Sequence, residues 1–263
     1  MNEPSDSPAH GRVTWRAEGH VCRIEIDRPA KYNAFSPEML GELSAAYQAY
    51  EDDPDLWCAL LVARGQHFTA GLELDRYDIR EPLIRDGQMD PLGLREPRCS
   101  KPVVAAVKGI CFTIGIELML GADIVVAADS TRFGQLEVQR GLMAFGGATL
   151  RMVERAGWGN AMRWLLTGEE FTAAEAYRVG WVQELAPADE VEARAASIAQ
   201  TIAAAAPLAV QASKRSARLG VEEGHDAAVM AFAEQLSALA DSEDFAEGVA
   251  SFKERRRGRY RGR

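Results

Sequence analysis

Three short apolar runs, Trp57–Ala63, Val103–Val107 and Asp123–Ala127, constrain this chain more than any other feature. They show no alternation of polar and apolar residues and are too short for buried helices, which is the pattern of strands covered on both faces. Helical stretches lie between them, and strands linked in that way pair in parallel through helical crossovers. The first helix begins at Ser36-Pro37-Glu38, with Ser36 as N-cap and Pro37 at the first helical position. Its apolar stripe is Met39, Leu43, Ala46, Tyr47 and Tyr50, and it stops near Asp53-Pro54. Upstream, Val13–Ala17 and Val21–Ile26 flank Glu18-Gly19 as a hairpin, with Arg28-Pro29 ending the second strand.

The second half reads as almost wholly helical. Gly159–Thr167 is one helix, and Thr172-Ala173-Ala174-Glu175 is a capping box that opens the next. Alanine-rich helices follow over Asp189–Ala205, Pro207–Leu219 and Glu222–Leu239, then Glu243–Arg256. The predicted fold class is therefore α/β, with a strand-and-helix core and a trailing helical section. No internal repeat and no linker divides it, so the regions are a flexible N-terminus at 1–12, a core at 13–200, and a helical region with a basic tail at 201–263. The segment Glu81–Cys99 is the one long irregular stretch; its Pro and Gly content suggests a loop, and long loops inside compact domains are often substrate-gating or mobile.

With 47% hydrophobic and 26% charged residues in 263, the chain has material for a large core and a soluble surface. No apolar run approaches the roughly 20 residues of a membrane helix, so no membrane partner is expected. The polar N-terminus lacks the apolar stretch of a signal peptide. Cys22, Cys58, Cys99 and Cys111 have no paired or CxxC spacing, which predicts buried free thiols in a reducing cytoplasm. A net charge of −9 argues against general nucleic-acid binding. The tail from Lys253 to Arg263 nonetheless holds seven basic side chains. They form either a solvated charge run or a contact to a polyanion, such as a ligand phosphate or a neighbouring subunit's acidic surface. His10, His20, His67 and His225 show no metal-binding spacing, so no metal is predicted.

The candidate chemistry lies in two glycine turns. The first is Gly65-Gln66-His67-Phe68-Thr69-Ala70-Gly71-Leu72, and the second runs from Lys108-Gly109 through Thr113-Ile114-Gly115 to Glu117. The second leads from Val103–Val107 into a helix over Ile116–Gly121, whose first N–H groups lack intrahelical partners and favour developing negative charge. Backbone donors at Leu72 and Ile114 can converge on one thioester oxygen, or each turn is simply a strand-to-helix connection. Glu117 lies among Ile116, Leu118, Met119 and Leu120, so it is either at a helix edge or buried with a raised pKa. Glu137, after Phe133-Gly134-Gln135-Leu136, is either an exposed loop acid or a second proton-handling group for the same pocket.

These motifs together resemble the crotonase superfamily, the enoyl-CoA hydratases and isomerases. The resemblance is carried by Ile26-Asp27-Arg28-Pro29 with Asn33-Ala34-Phe35-Ser36, by Phe68–Leu74, by Lys101–Leu118 with Ala122-Asp123-Ile124, by Phe133–Glu137 and by Leu165–Glu169. It implies a spiral of ββα units with C-terminal helices that pack in a trimer, often paired into a hexamer. It also implies oxyanion donors at Leu72 and Ile114, Glu117 as the acid that activates water and Glu137 as the acid that protonates the α-carbon. Because both acids are present, the implied reaction is reversible syn-hydration of a 2-enoyl-CoA to a 3-hydroxyacyl-CoA. No cofactor is implied beyond the coenzyme A carried by the substrate. Arg28, Lys31 and backbone around His67, Phe68, Ala70 and Gly71 are the expected coenzyme A contacts. The chain departs from the hydratase pattern at His67, Glu73, Thr113, Ile114, Leu136 and Phe145. Phe145 and Ile114 would narrow the acyl pocket, which keeps isomerisation, a specialised dehydration or decarboxylation open, and beside them a non-catalytic acyl-CoA or RNA binder.

Overall fold

The apolar runs become neighbouring strands of one sheet. The structure, a computed structural model, describes residues 10–263. The expectation for 1–12 thus lies mostly outside the described residues, and Arg12 already belongs to the first strand. That strand, β1 (Arg12–Glu18), forms the expected hairpin with β2 (Val21–Asp27), in register from Arg12↔Asp27 to Glu18↔Val21. Along the chain follow β3 (Cys58–Ala63), β4 (Val103–Val107), β5 (Ile110–Phe112), β6 (Ile124–Ala128), β7 (Arg132–Gly134), β8 (Glu170–Thr172) and β9 (Glu184–Ala186). A six-stranded sheet runs β1-β2-β3-β4-β6-β9 and is parallel throughout beyond the hairpin. A second sheet, β5-β7-β8, stacks three-residue strands beside it. Every residue of β3 and β4 is buried, as unbroken apolar runs require.

Helices cover both faces of the larger sheet. α1 (Pro37–Asp52) starts where predicted, with the Ser36 hydroxyl accepting from the Met39 N–H. It buries the whole predicted stripe, and Tyr50 donates to the Pro102 carbonyl at 2.8 Å. Each fully buried apolar side chain of this kind contributes roughly 1.5–3 kcal/mol. α2 (Ile114–Gly121) follows β5, and α3 (Ala148–Ala156), α4 (Trp158–Thr167) and α5 (Ala173–Arg178) come next. The predicted Thr172 cap is present, accepting from the Glu175 N–H at 3.2 Å. α6 (Val191–Ala203) lays Val191, Ala195, Ala199 and Ala203 against Leu60, Val104 and Val126 of the sheet. The C-terminal arm is α7 (Pro207–Glu222), α8 (His225–Met230), α9 (Phe232–Ala240) and α10 (Glu243–Lys253).

Several expectations are corrected. The second half is not almost wholly helical, because β8 and β9 complete the two sheets. The helix expected over Glu222–Leu239 is two helices preceded by a break at Gly224, which has φ +97°. The helix after β5 begins at Ile114, two residues before the expected start. The basic residues of the tail are exposed, as in a solvated charge run, but its backbone is held. It folds back along α10, with Arg256 paired to Glu247 and Glu254, and Asp244 accepting from the Arg261 and Gly262 N–H groups. The four cysteines are free and buried, and burial pushes the Cys22, Cys58 and Cys99 thiols up to about 12. Among the described residues, no single helix is long and apolar enough to cross a membrane.

Candidate active site

The two glycine turns are laid side by side. The Phe112 N–H donates to the Thr69 carbonyl at 3.0 Å, and the Thr69 N–H to the Ile110 carbonyl at 3.2 Å, a parallel bridge between Thr69 and Cys111. Leu72 and Ile114 each lie three residues beyond one partner of that bridge, so parallel register carries both to the same end. Neither N–H is engaged by another protein group among the described residues. The crossing is close: a Cβ on Gly109 would lie 2.1 Å from the Gln66 carbonyl oxygen. Asn33, to which the sequence alone assigns no separate role, is the strut of the first turn. Its amide donates to the Arg64 and His67 carbonyls at 2.9 and 2.7 Å, and its oxygen accepts from the Arg28 N–H at 2.7 Å. Its φ is +56°, and the residue type is the available signal, since Asn is among the few residues that tolerate left-handed backbone.

Glu117 stands in the first turn of α2 and is only 2% exposed. Its Oε1 accepts from the Gly146 N–H at 2.6 Å and the Ala148 N–H at 3.3 Å, so the carboxylate caps α3 from across the site. A Cβ on Gly146 would lie 2.3 Å from Glu117 Oε2. Burial, and then the negative charge of Glu137, push the Glu117 carboxyl up to about 7 against the pull of those two N–H groups. Glu137 opens a 3-10 turn over Glu137–Arg140 and is also buried. Its Oε1 accepts from Gln135 Nε2 at 2.9 Å, while Oε2 is buried with no protein partner. Burial raises this carboxyl as well, opposed by its own backbone N–H and by Gln135. Two acids in electrostatic contact, each with its ionised form disfavoured, can share protons near neutral pH.

The remaining predicted residues are distributed around these groups. Phe145 is half-buried and lines a cavity of about 280 Å³ with Leu83, Ile84, Leu92 and Leu94, so the irregular segment Glu81–Cys99 forms a wall beside Glu117's capping loop. Ile114 is buried. The Phe68 side chain is wholly in the core, and Gly71 is buried beside it, while Ala70 is half-buried with its N–H on the Tyr32 carbonyl at 2.9 Å. His67 Nδ1 accepts from the Ile110 N–H at 3.2 Å, which puts the ring proton on Nε2; burial, then Arg132, lower its pKa. Arg28 is buried, paired with Glu73 at 2.9 Å and donating to the Ala34 carbonyl at 3.0 Å, whereas Lys31 is exposed. A larger cavity of about 1180 Å³, between α3, α6 and α7, contains neither glutamate. No group of three or more His, Cys, Asp or Glu among the described residues is arranged to hold a metal ion.

The chain as a whole is similar to known proteins. The enoyl-CoA hydratase/isomerase family matches residues 16–263. The enoyl-CoA hydratase EchA19 of Mycobacterium tuberculosis is 36% identical over 206 residues, 76% of this chain and 77% of that protein. The (E)-benzylidenesuccinyl-CoA hydratase of Thauera aromatica is 32% identical over 256 residues, 95% and 99% of the two chains. Among solved structures, a probable enoyl-CoA hydratase/isomerase from Mycobacterium abscessus superposes with a TM-score of 0.92 at 47% identity, covering 95% of this chain and 98% of that one. With the match spanning the core and the arm alike, this chain belongs to the enoyl-CoA hydratase/isomerase family of the crotonase superfamily, as an enzyme of the hydratase type.

Proposed function

We propose that the protein catalyses reversible syn-hydration of a 2-enoyl-CoA thioester to a 3-hydroxyacyl-CoA. The observation that carries this reading is two unengaged backbone N–H groups, at Leu72 and Ile114, in one site with two buried carboxyls of raised pKa. The thioester oxygen accepts from both N–H groups, and each such donor is worth on the order of 3 kcal/mol as charge develops there. Ionised Glu117 takes a proton from water as the water oxygen bonds to the β-carbon. The double-bond electrons move to the thioester oxygen as an enolate, and protonated Glu137 delivers its proton to the α-carbon. Both transfers come from one face, hence syn, and the reverse sequence eliminates water.

Coenzyme A is read as lying along Lys31 and the backbone from His67 to Gly71, with Arg28 supporting that surface through Glu73. The acyl group points toward Ile114 and Phe145. No cofactor beyond the substrate's own coenzyme A enters this reading. The four buried thiols fit a cytoplasmic protein. The exposed Met230, Phe232, Leu236, Phe245 and Phe252 of the arm favour a homo-oligomer, a trimer or a dimer of trimers.

The test is a panel of 2-enoyl-CoA thioesters, short, long and aromatic, followed by loss of the conjugated-enone absorbance. We expect a product heavier by one water, and a loss of roughly 10²–10⁴-fold in kcat for Glu117→Gln and for Glu137→Gln. Undiminished turnover in both variants sinks the mechanism. A product of unchanged mass, or one lighter by carbon dioxide, moves the reaction to isomerisation or decarboxylation.

A further inference from the structure

Thr113 holds a backbone conformation that a β-branched residue rarely takes, φ +51° and ψ −115°. Its neighbours enforce that conformation. The Thr113 N–H donates to the Gly134 carbonyl at 2.9 Å, and its carbonyl accepts from the Ile116 and Glu117 N–H groups at 2.9 and 3.3 Å. Glycine would take the same backbone freely, so the side chain is retained at a cost in stability. Strain of this kind, kept at a functional site, is a reason to ask what the side chain does there.

Its hydroxyl is held in a defined place. In the register of the Thr69↔Cys111 bridge, Gly71 and Thr113 are both two residues beyond a bridge partner. A Cβ on Gly71 would lie 2.5 Å from Thr113 Oγ1, so the hydroxyl rests against the Gly71 Cα. Gly71 is the residue before the Leu72 N–H, and Thr113 is the residue before the Ile114 N–H. The hydroxyl thus belongs to the residue that precedes one backbone donor and lies against the residue that precedes the other. Nearby hydroxyls are committed to carbonyls: Thr69 donates to Asn33 at 2.8 Å and Thr131 to Val107 at 3.3 Å. That of Thr113 has no hydrogen-bond partner among the described residues.

We propose that the Thr113 hydroxyl is a third hydrogen-bond donor to the thioester oxygen, beside the N–H groups of Leu72 and Ile114. This inference rests on the acyl-CoA reading of the site given above. As the enolate forms, the oxygen gains a full charge, and an O–H donor fixed against Gly71 strengthens its bond to that oxygen without reorganising. The interaction grows from ground state to enolate, so it acts on kcat more than on KM.

The variants are Thr113→Val, which keeps the branched shape and loses the hydroxyl, Thr113→Ser, which keeps the hydroxyl, and Thr113→Gly, which also relaxes the backbone. Thr113→Val is expected to lose roughly 10- to 100-fold in kcat with little change in KM. Thr113→Ser should stay within a few-fold of the parent. Thr113→Gly should melt at a higher temperature than the parent and be as slow as Thr113→Val. A second readout avoids turnover: an enolisable 3-oxoacyl-CoA is titrated into each protein and the near-ultraviolet band of its bound enolate is read. The enolate fraction should fall in Thr113→Val and not in Thr113→Ser. Thr113→Val with parental kcat and enolate band, or Thr113→Ser as impaired as Thr113→Val, overturns the proposal while leaving the glutamate mechanism intact. If the parent binds the 3-oxoacyl-CoA without any enolate band, the underlying reading of Leu72 and Ile114 fails along with it.

Discussion

Glu117 and Glu137 are buried acids that meet in one site, yet the two walls holding them are built differently. On the wall of α2 and α3, Glu117 is fixed by backbone N–H groups of Gly146 and Ala148, which no side-chain replacement deletes. On the wall after β7, Glu137 has one protein donor outside its own residue, the Gln135 side chain, and a second oxygen with none. A carboxylate on the end of a helix keeps its position through changes in its surroundings, whereas one held by a single amide is tuned by that amide. In the proposed mechanism the water-activating position is thus the rigid one, and the α-carbon proton donor is the adjustable one.

The rigid wall breaks most completely at Gly146. A methyl group there would sit 2.3 Å from Glu117 Oε2, too close for any real contact, and the neighbour that must yield is the carboxylate itself. Gly146→Ala is expected to push Glu117 off its two donors and to lower kcat/KM by roughly 10²–10³-fold, comparable to losing a general base. Steady-state kinetics together with a circular-dichroism melt would check this. A variant that is folded and as active as the parent would mean that the Glu117 position is not what limits the reaction.

How much of this was legible in the sequence differs along the same line. β3, β4, the hairpin and α1 were readable because each carries its own signal, an unbroken apolar run or a cap followed by a periodic stripe. α3 was not, because its start is capped by Glu117, a residue 31 positions upstream, and no local cap marks it. β5, β7, β8 and β9 are too short to show a period. Gly224 hints at the break before α8, but the α8–α9 break at Ala231 falls in a stretch of good helix formers with no local signal. Glu117 and Glu137 could be singled out as residues, but their electrostatic coupling and the tight clearance at Gly146 exist only once segments distant in sequence pack together, and the Gln135 donor depends on the geometry of the local turn. Arg28 shows the same dependence: its basic side chain is legible in the sequence, but its pairing with Glu73 and the Ala34 carbonyl is set by the fold.

The burial that makes Glu117 useful also opposes folding, with a defined sign. Its carboxyl is raised from 4.5 to about 7, so between those pH values the folded protein binds more protons than the unfolded chain. Stability is full below 4.5, falls as pH rises through 7 and is constant above, a loss of about 3 kcal/mol in all. Glu117→Gln removes that titration. Urea unfolding at a series of pH values from 5 to 8 should show the parent losing stability relative to the variant as pH rises. Parallel curves for the two proteins would mean that the Glu117 carboxyl is not raised in the folded state.

The smallest effect is expected on the adjustable wall. Gln135 favours ionised Glu137 through its 2.9 Å bond, so Gln135→Leu leaves the buried carboxyl with its own backbone N–H and moves its titration to higher pH. In the proposed mechanism protonated Glu137 is the form that hydrates, and the ionised form is the one that begins dehydration by taking the α-proton. Gln135→Leu should therefore shift the Glu137 limb of the pH–rate profile upward in both directions. At a fixed pH dehydration should slow relative to hydration by up to roughly tenfold, the scale of one lost hydrogen bond to a charged group. Thermodynamics fixes the overall equilibrium, so the change in kcat must be matched by the KM values of the two directions. A variant whose two profiles stay where the parent's are would show that Glu137 is set by burial alone, and that both walls are equally rigid.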